Sequence, residues 1–172
     1  MHRRTLLQCA LATPPLLTGL GGCASTAKSL PTSYAVSVRV DEGVNPDGRG
    51  MAAPILVKMF ELRTAAGFET ADYFALQDRS RETLGSDFVN VDQAMIPSGE
   101  ERTFRREAGL ESRAIGIIAG YRRLEGVRWR VVLLLDEPAR TNLYKVWQQS
   151  PVEQALHVVV RKSGIEQREV SR

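Results

Sequence analysis

The sequence is poor in the residues that form metal, disulfide and nucleophilic sites. Its 172 residues include two cysteines and two histidines. Cys9, Cys23 and His2 lie near the N-terminus, so the chain after Cys23 contains one histidine, His157, and no thiol. A lone histidine cannot form a His/Cys metal site, and without thiols no disulfide can form. We therefore expect packing alone to stabilise the fold.

Recognisable catalytic motifs are also missing. None of the serines lies in a Gly-x-Ser-x-Gly elbow, and neither a phosphate-binding loop nor a dinucleotide fingerprint occurs. The acidic residues are scattered, which gives a paired-carboxylate site no positive support. His157 lies in an apolar run and is expected on the face of a sheet. The sequence therefore predicts a protein that is not an enzyme and has no catalytic residue, metal, cofactor or small-molecule substrate.

Long apolar segments are absent as well. A transmembrane helix needs about 20 apolar residues. The apolar stretch from Leu6 to Leu20 is shorter than this and is interrupted by Pro14 and Pro15. The strongest later stretch, residues 131–135, has the length of a buried strand. The sequence therefore predicts no membrane-spanning segment.

The chain after the first 22 residues has little net charge. The formal net charge is +3, from 23 basic and 20 acidic residues. The first 22 residues contain Arg3 and Arg4 but no acidic residue, so the remainder is almost neutral. Basic pairs at 105–106 and 122–123 have glutamates nearby, which indicates a mixed-charge surface. A nucleic-acid partner or a polybasic membrane-binding surface is therefore not expected.

The N-terminus has the pattern of an export signal. A basic start is followed by an apolar segment and then by Leu20-Gly21-Gly22-Cys23. This motif resembles the lipobox of bacterial lipoproteins, in which the thiol takes a diacylglyceryl group and the chain is cut before the cysteine. The resemblance implies that Cys23 is lipidated and begins the mature protein, and an ordinary secretory signal is the alternative. Residues 3–7 also resemble a twin-arginine export motif.

These features divide the chain into three parts. Residues 1–22 are predicted to be a lipoprotein signal peptide. Residues 23–33 are predicted to be the lipid anchor and a flexible linker, because they are small and polar and lack apolar periodicity. Residues 34–172 are predicted to form one domain, long enough for a core without crosslinks.

The apolar pattern of the domain is mainly that of β-strands. Alternation over 34–40 predicts a half-buried strand, and residues 55–62 are apolar on both faces, which predicts a strand covered on both sides. Residues 41–54, rich in glycine and proline, are predicted to form a longer connection than the usual length of about 4–6 residues, with a turn at Asn45-Pro46-Asp47-Gly48. Residues 127–136 are predicted to be the most buried strand, with Leu133 in its core. Further strands are expected within 88–96, 103–106 and 114–121, and a loop with a helical turn within 142–151. Residues 156–161 and 165–170 are predicted to form a closing hairpin around Ser163-Gly164.

One segment between the strands is predicted to be helical. Residues 68–84 mix aromatic and charged side chains, with Thr70 expected to cap a first helix, Ser80 to cap a second turn and Gly85 to end it. This segment is expected to cover the strand at 55–62. Seven to eight strands with a short helical insertion predict a mainly β fold, a β-sandwich.

A series of short motifs spans most of the chain after the signal. They are Leu20-Gly21-Gly22-Cys23, Val44-Asn45-Pro46-Asp47, Pro54 to Leu62, Phe68, Ala71 to Leu76, Pro97, Gly116 to Arg122, and Trp129-Arg130. Their order and spacing resemble the TssJ (SciN) family, the outer-membrane lipoproteins of type VI secretion systems. The lipobox alone would imply only a lipoprotein.

The resemblance implies a transthyretin-like β-sandwich, held at the periplasmic face of the outer membrane by the lipid on Cys23. It implies one direct protein partner, the periplasmic C-terminal part of the inner-membrane protein TssM, and an indirect partner, TssL, reached through TssM. In the family, the loop between the first two strands contacts TssM. Here that loop is residues 41–54, and the contact residues implied are Val44, Asn45, Pro46, Asp47 and Gly48.

Two other classes of function stay open at this point. A transthyretin-like hydrolase would use several histidines and arginines in a channel, whereas this chain offers His157 alone. A periplasmic ligand-binding or chaperone lipoprotein with a β-sandwich fold would need a roomy apolar pocket, which a sequence does not show. Trp129 is expected in the core or at a sheet edge, with a binding role as the alternative.

Overall fold

The computed structural model describes residues 27–142 and 153–168. The signal peptide, Cys23 and residues 143–151 of the expected loop lie outside these ranges. The strands are β1 (Ala27–Leu30), β2 (Ser33–Val40), β3 (Ile55–Leu62), β4 (Phe88–Ile96), β5 (Glu101–Glu107), β6 (Ala114–Ala119), β7 (Arg130–Leu134), β8 (Ala139–Asn142), β9 (Gln154–Arg161) and β10 (Gly164–Arg168). The helices are α1 (Ala66–Thr70), α2 (Tyr73–Asp78) and α3 (Ser80–Leu84), followed by a 3-10 turn, Gly85–Asp87.

Two four-stranded sheets form a sandwich. One has the strand order β10–β9–β2–β5 and the other β4–β3–β6–β7. Within them, β2 and β9 run parallel and the other neighbouring strands run antiparallel. The turn between β9 and β10 is the closing hairpin that the sequence predicts. The predicted mainly β sandwich with a short helical insertion is confirmed.

The main core lies between the two sheets. On β2, Val36, Val38 and Val40 are fully buried while Arg39 is exposed, as the alternating pattern predicts. β3 contributes Ile55 to the same core. Because this space is filled with apolar side chains, the sandwich is held by burial of hydrophobic surface.

A second core lies on the other face of the β4–β3–β6–β7 sheet, under the helices. Phe68 of α1 and Leu76 of α2 are fully buried there against Phe60 and Leu62 of β3. β3 is therefore covered on both sides, by the opposite sheet and by the helical segment, as the sequence predicts.

The prediction that residues 127–136 contain the most buried strand is wrong. β7 lies at the edge of its sheet, and its adjacent residues point to opposite faces. Leu133 faces the main core and is fully buried, whereas Leu134 is 72% exposed on the other face. All six residues of β6 are buried, because β6 lies between β3 and β7 with a core on each face.

The helix boundaries also differ from the prediction. Thr70 ends α1, and its hydroxyl donates back to the Ala66 carbonyl oxygen. The cap of α2 is Asp72, whose carboxylate accepts hydrogen bonds from the backbone amides of Phe74 and Ala75 at 2.9 and 3.3 Å. A carboxylate at this position also interacts favourably with the helix dipole. α3 begins at Ser80 without a side-chain cap, and it ends at Gly85, as predicted.

Part of the segment predicted to be a flexible linker is a strand. Residues 27–30 form β1, which pairs antiparallel with β8, and β2 already begins at Ser33. β1 forms because β8, which is distant in the sequence, supplies its hydrogen-bond partners. The composition of residues 23–33 does not indicate this pairing. Among the described residues, no helix has the length and apolar character needed to cross a bilayer.

Strand directions place four connections at the same end of the sandwich. They are residues 41–54, 97–100, 120–129 and 162–163, and this end is called the loop end below. Residues 27–33 lie before β2 and thus at the opposite end. Since a strand rises about 3.3 Å per residue, β2 separates the two ends by roughly 26 Å.

Candidate protein-binding surface

The base of the loop 41–54 is fixed to the body of the protein. Val44 is fully buried in the main core. The amide of Gly43 donates to the Ser98 hydroxyl at 2.8 Å, and this hydroxyl donates to the Asp41 carbonyl oxygen at 3.1 Å. The loop is therefore joined to the turn at 97–100 by a single serine side chain.

Asn45 joins the same loop to residues 120–129. Its backbone has a φ of +56°, in the left-handed region that asparagine tolerates better than most residues. Its side-chain Nδ2 donates to the Pro54 carbonyl oxygen at 3.1 Å, and its Oδ1 accepts from the Arg122 amide at 2.8 Å. Both polar ends of a nearly buried amide are thus satisfied by backbone groups of two different connections.

Asp47 organises the outer part of the loop. Its Oδ1 accepts hydrogen bonds from the Met51 and Arg49 amides at 2.9 and 2.8 Å, and its own amide donates to the Met51 carbonyl oxygen. These amides, that of Met51 above all, hold the pKa of the Asp47 carboxyl below its usual range. The turn expected around Asp47 is confirmed, and it is formed by the loop itself.

The structure separates the predicted contact residues into two groups. Val44 and Asn45 are buried, so a direct partner contact by Val44 conflicts with its position, and both residues instead hold the loop in place. Pro46 and Gly48 are exposed, and Asp47 is partly exposed. The sequence reasoning missed Met51, which is 66% exposed beside this turn. In the sequence, Met51 could have been noticed as a single large apolar residue among turn-forming residues.

Two clefts flank residues 120–129 at the loop end. One, of about 270 Å³, lies between these residues and the loop 41–54, and Lys162 also lines it. The other, of about 650 Å³, lies between these residues and α2, with Leu56 and Phe74 in its lining. Gly120 also lines this second cleft, and it packs closely, since a methyl group there would lie 3.0 Å from the Tyr73 hydroxyl.

Trp129 serves in packing rather than on an exposed surface. Its ring meets Tyr73 of α2 edge-on, with 5.3 Å between the ring centroids, and it contacts both cores. The Arg130 guanidinium lies 4.5 Å from the Trp129 ring centroid and donates to the carbonyl oxygens of Phe68 and Ala71. The expected position at a sheet edge is confirmed, and the pair Trp129–Arg130 attaches the helices to the sheet.

His157 and the basic pair at 105–106 form no site with each other. His157 is partly exposed on the outer face of its sheet, where its register partners are Ser37 and Arg168. Arg106 pairs with Asp92 at 2.7 Å, and Arg105 with Glu153 at 3.7 Å. The sheet-face histidine is as predicted, and so is the mixed-charge surface around the pair at 105–106, whereas the pair at 122–123 lines a cleft with an excess of basic side chains. In the part of the chain that the structure describes, no group of three or more histidine, cysteine, aspartate or glutamate side chains is placed to hold a metal ion.

The fold and the loop end define a small β-sandwich module that presents a preformed loop. A family profile described as "Type VI secretion lipoprotein, VasD, EvfM, TssJ, VC_A0113" matches residues 32–161. The chain belongs to this family of type VI secretion lipoproteins, as its motifs indicate. No curated protein sequence gives a significant match.

Solved structures agree with this assignment. Lip of Serratia marcescens, a membrane-bound component of the type VI secretion system, is 34% identical over 83% of this chain and 100% of its own, with a TM-score of 0.73. The lipoprotein TssJ1 of Pseudomonas aeruginosa is 30% identical over 82% of this chain and 99% of its own, with a TM-score of 0.68. A chain in the structure of the TssM C-terminal domain from EAEC shares the fold at 19% identity, covering 80% of this chain and 98% of its own, with a TM-score of 0.58.

Proposed function

We propose that this protein is the outer-membrane lipoprotein of a type VI secretion membrane complex. In this proposal Cys23 carries the lipid, the domain faces the periplasm, and the loop 41–54 binds the periplasmic C-terminal part of TssM. TssL is then linked to it through TssM. The observation that carries the proposal is that this loop is exposed and yet fixed in one conformation by its own hydrogen bonds.

The rigidity of the loop favours a binding role. Ordering a mobile loop on association costs about 0.5–1.5 kcal/mol for each immobilised side chain. Here Val44, Asn45 and Asp47 already fix the backbone before any partner arrives. A modest number of contacts by exposed residues therefore suffices for binding.

The position of the loop fits a partner that crosses the periplasm. The N-terminal residues that lead back to Cys23 lie at one end of the sandwich and the loop lies at the other. A lipid on Cys23 would direct the loop end away from the outer membrane. The choice of TssM as the partner rests on the family resemblance of the sequence motifs.

The proposal assigns the contact to the exposed part of the loop. Pro46, Gly48 and Met51 would meet TssM, while Val44 and Asn45 would hold them in place. Met51 is the residue best suited to an anchor, since an exposed methionine adapts its shape to an apolar partner surface.

A matched pair of substitutions tests this assignment. The lipoprotein, purified in detergent, is titrated with the purified periplasmic part of TssM from the same genome. Met51→Asp changes the loop, and Leu110→Asp makes the same change at an exposed leucine of the opposite end, in the connection between β5 and β6. We expect Met51→Asp to weaken binding by about tenfold or more, equivalent to about 1.4 kcal/mol.

The control variant makes the outcome decisive. Leu110→Asp should bind like the wild type, and both variants should keep the wild-type melting temperature because both residues are exposed. Equal binding by Met51→Asp would move the interface away from the loop. If the wild type does not bind, TssM is not the partner.

A further inference from the structure

The smaller cleft at the loop end has a cationic rim. Arg122 and Arg123 stand on the wall formed by residues 120–129, and Lys162 approaches from the turn between β9 and β10. Lys162 lies over Gly43, since a methyl group added there would be 3.1 Å from its Nζ and Cε atoms. Basic side chains from two separate connections thus face the space beside the loop 41–54.

Among the residues that the structure describes, these three cations form no ion pairs. None of the salt bridges within residues 27–142 and 153–168 includes Arg122, Arg123 or Lys162, and all three residues are exposed. Neighbouring Arg161 differs, because it pairs with both Asp41 and Glu166. At the loop end, Arg161 is therefore neutralised by ion pairs, whereas the adjacent Lys162 has no ion pair among the described residues.

Two acidic groups lie near this rim, and neither neutralises it. Glu125 lines the cleft, so the lining has an excess of positive charge. The charge of Arg122 contributes to the lowered pKa of Asp47, but the two backbone amides that donate to Asp47 Oδ1 have the larger effect, and no salt bridge joins Arg122 to Asp47 among the described residues. Arg123 and Lys162 remain available to a carboxylate from outside.

The floor of the cleft is apolar and rigid. Tyr121 is buried except for 8% of its surface, and its hydroxyl donates to the Arg161 carbonyl oxygen at 2.8 Å. Val127 and Pro46 complete the apolar lining. Asn45 fixes the opposite walls relative to each other through the Arg122 amide. A preformed, mainly apolar cleft with a few well-placed charged groups is typical of a ligand-binding site.

We propose that this cleft binds an acidic, extended segment of the partner protein. An apolar or aromatic side chain of the segment would occupy the floor over Tyr121, and a neighbouring aspartate or glutamate would pair with Arg123 and Lys162. The identity of the partner rests on the proposed function, whereas the chemistry of the ligand rests on the cleft. The cleft extends the binding surface from the loop 41–54 onto the turn between β9 and β10.

Charge reversal tests the proposal. The double variant Arg123→Glu with Lys162→Glu alters the rim, and Arg105→Glu with Arg168→Glu is a control with the same change in net charge in exposed strand residues outside the cleft. Both detergent-purified lipoproteins are titrated with the periplasmic part of TssM at low and high salt. The rim variant should bind TssM about tenfold more weakly than the wild type, mainly through slower association. At high salt the difference in affinity between the two proteins should become smaller, because salt screens the charges of the rim.

A peptide measurement separates the cleft from the identity of the partner. A blocked hexapeptide of alternating aspartate and tyrosine is titrated into labelled lipoprotein, and its asparagine–tyrosine counterpart is the uncharged control. The acidic peptide should shift the backbone amide signals of Arg122, Arg123 and Lys162 in the wild type, and the rim variant should lose these shifts.

The outcomes distinguish the two proposals. Loss of TssM binding by the rim variant but not by the control supports the cleft. Equal TssM binding by both variants, or peptide shifts that are the same for both peptides, overturns it. If the wild type does not bind TssM but the acidic peptide shifts the amide signals of the cleft, the proposed partner is wrong. That result would still support the proposal that the cleft binds an acidic segment.

Discussion

The ring of Phe68 lies directly over the α-carbon of Gly116. A methyl group at Gly116 would be 2.7–2.8 Å from three carbon atoms of this ring, closer than van der Waals contact permits. Phe68 is fully buried, and Gly116 is in the middle of β6, the strand with a core on each face. The helical layer therefore sits on the sheet at a position where only glycine fits.

Gly116→Ala should destabilise the protein by about 1–3 kcal/mol, because an overpacked core must move its side chains or backbone. Gly48→Ala is the matched control, since nothing lies within 4 Å of a methyl group at this loop position. Chemical denaturation measures both changes. A denaturation midpoint of Gly116→Ala equal to that of Gly48→Ala would show that Phe68 relaxes without cost.

Adjacent leucines on β7 test which face of this strand is covered. Leu133 is fully buried, so Leu133→Ala should cost roughly 2–5 kcal/mol through lost apolar burial and a residual cavity. Leu134 is 72% exposed, and Leu134→Ala should change the free energy of unfolding by less than about 0.5 kcal/mol. Similar losses in urea denaturation of the two variants would mean that both faces of β7 are buried at this point.

Asp47 gives the loop a dependence on pH. The Met51 and Arg49 amides hold the pKa of its carboxyl below the ordinary value of 3.8, so the ionised form stabilises the turn. This contribution is complete above the unfolded-state pKa and is lost as the pH falls through the lower pKa of the folded state. In an NMR titration, the amide shifts of Arg49 and Met51 should follow this lower pKa.

Asp47→Asn is the control for that titration. The amide oxygen still accepts hydrogen bonds but does not ionise, so the acid-dependent shift of the two amides should disappear. A midpoint at or above the ordinary aspartate pKa in the wild type would mean that the carboxylate does not hold the turn in solution.

The anchor is tested by cysteine replacement. Each buried CH₂ of an acyl chain contributes about 0.8 kcal/mol to membrane binding, so Cys23→Ala should release a folded domain into the soluble periplasmic fraction. Cys9→Ala, within the predicted signal, should leave the protein in the membrane. Ala24 follows Cys23 where inner-membrane lipoproteins usually carry an aspartate, so fractionation should find the wild type in the outer membrane. Recovery in the inner membrane would contradict this sorting.

Patterns within one strand or turn were sufficient to predict much of the fold. The alternation of Val36, Val38 and Val40 identified β2, and the two apolar faces of 55–62 identified a strand covered on both sides. The turn around Asp47 was predictable because its hydrogen bonds connect residues at most four positions apart.

Features that depend on distant neighbours were not predictable. β7 has as apolar a sequence as a central strand, but its place at the sheet edge depends on the other strands. Asn45 was selected as a contact residue, whereas its amide bonds to Arg122, 77 positions away. Thr70 and Asp72 are both good capping residues, and only the packed helices show that Asp72 is used.

The most direct test of the central claim is the titration of the purified lipoprotein with the periplasmic part of TssM, comparing the wild type with Met51→Asp and Leu110→Asp. If the loop 41–54 is the binding surface, the wild type and Leu110→Asp bind equally and Met51→Asp binds about tenfold or more weakly, with the same melting temperature for all three. Equal affinity of all three proteins, or no binding by the wild type, would contradict the claim.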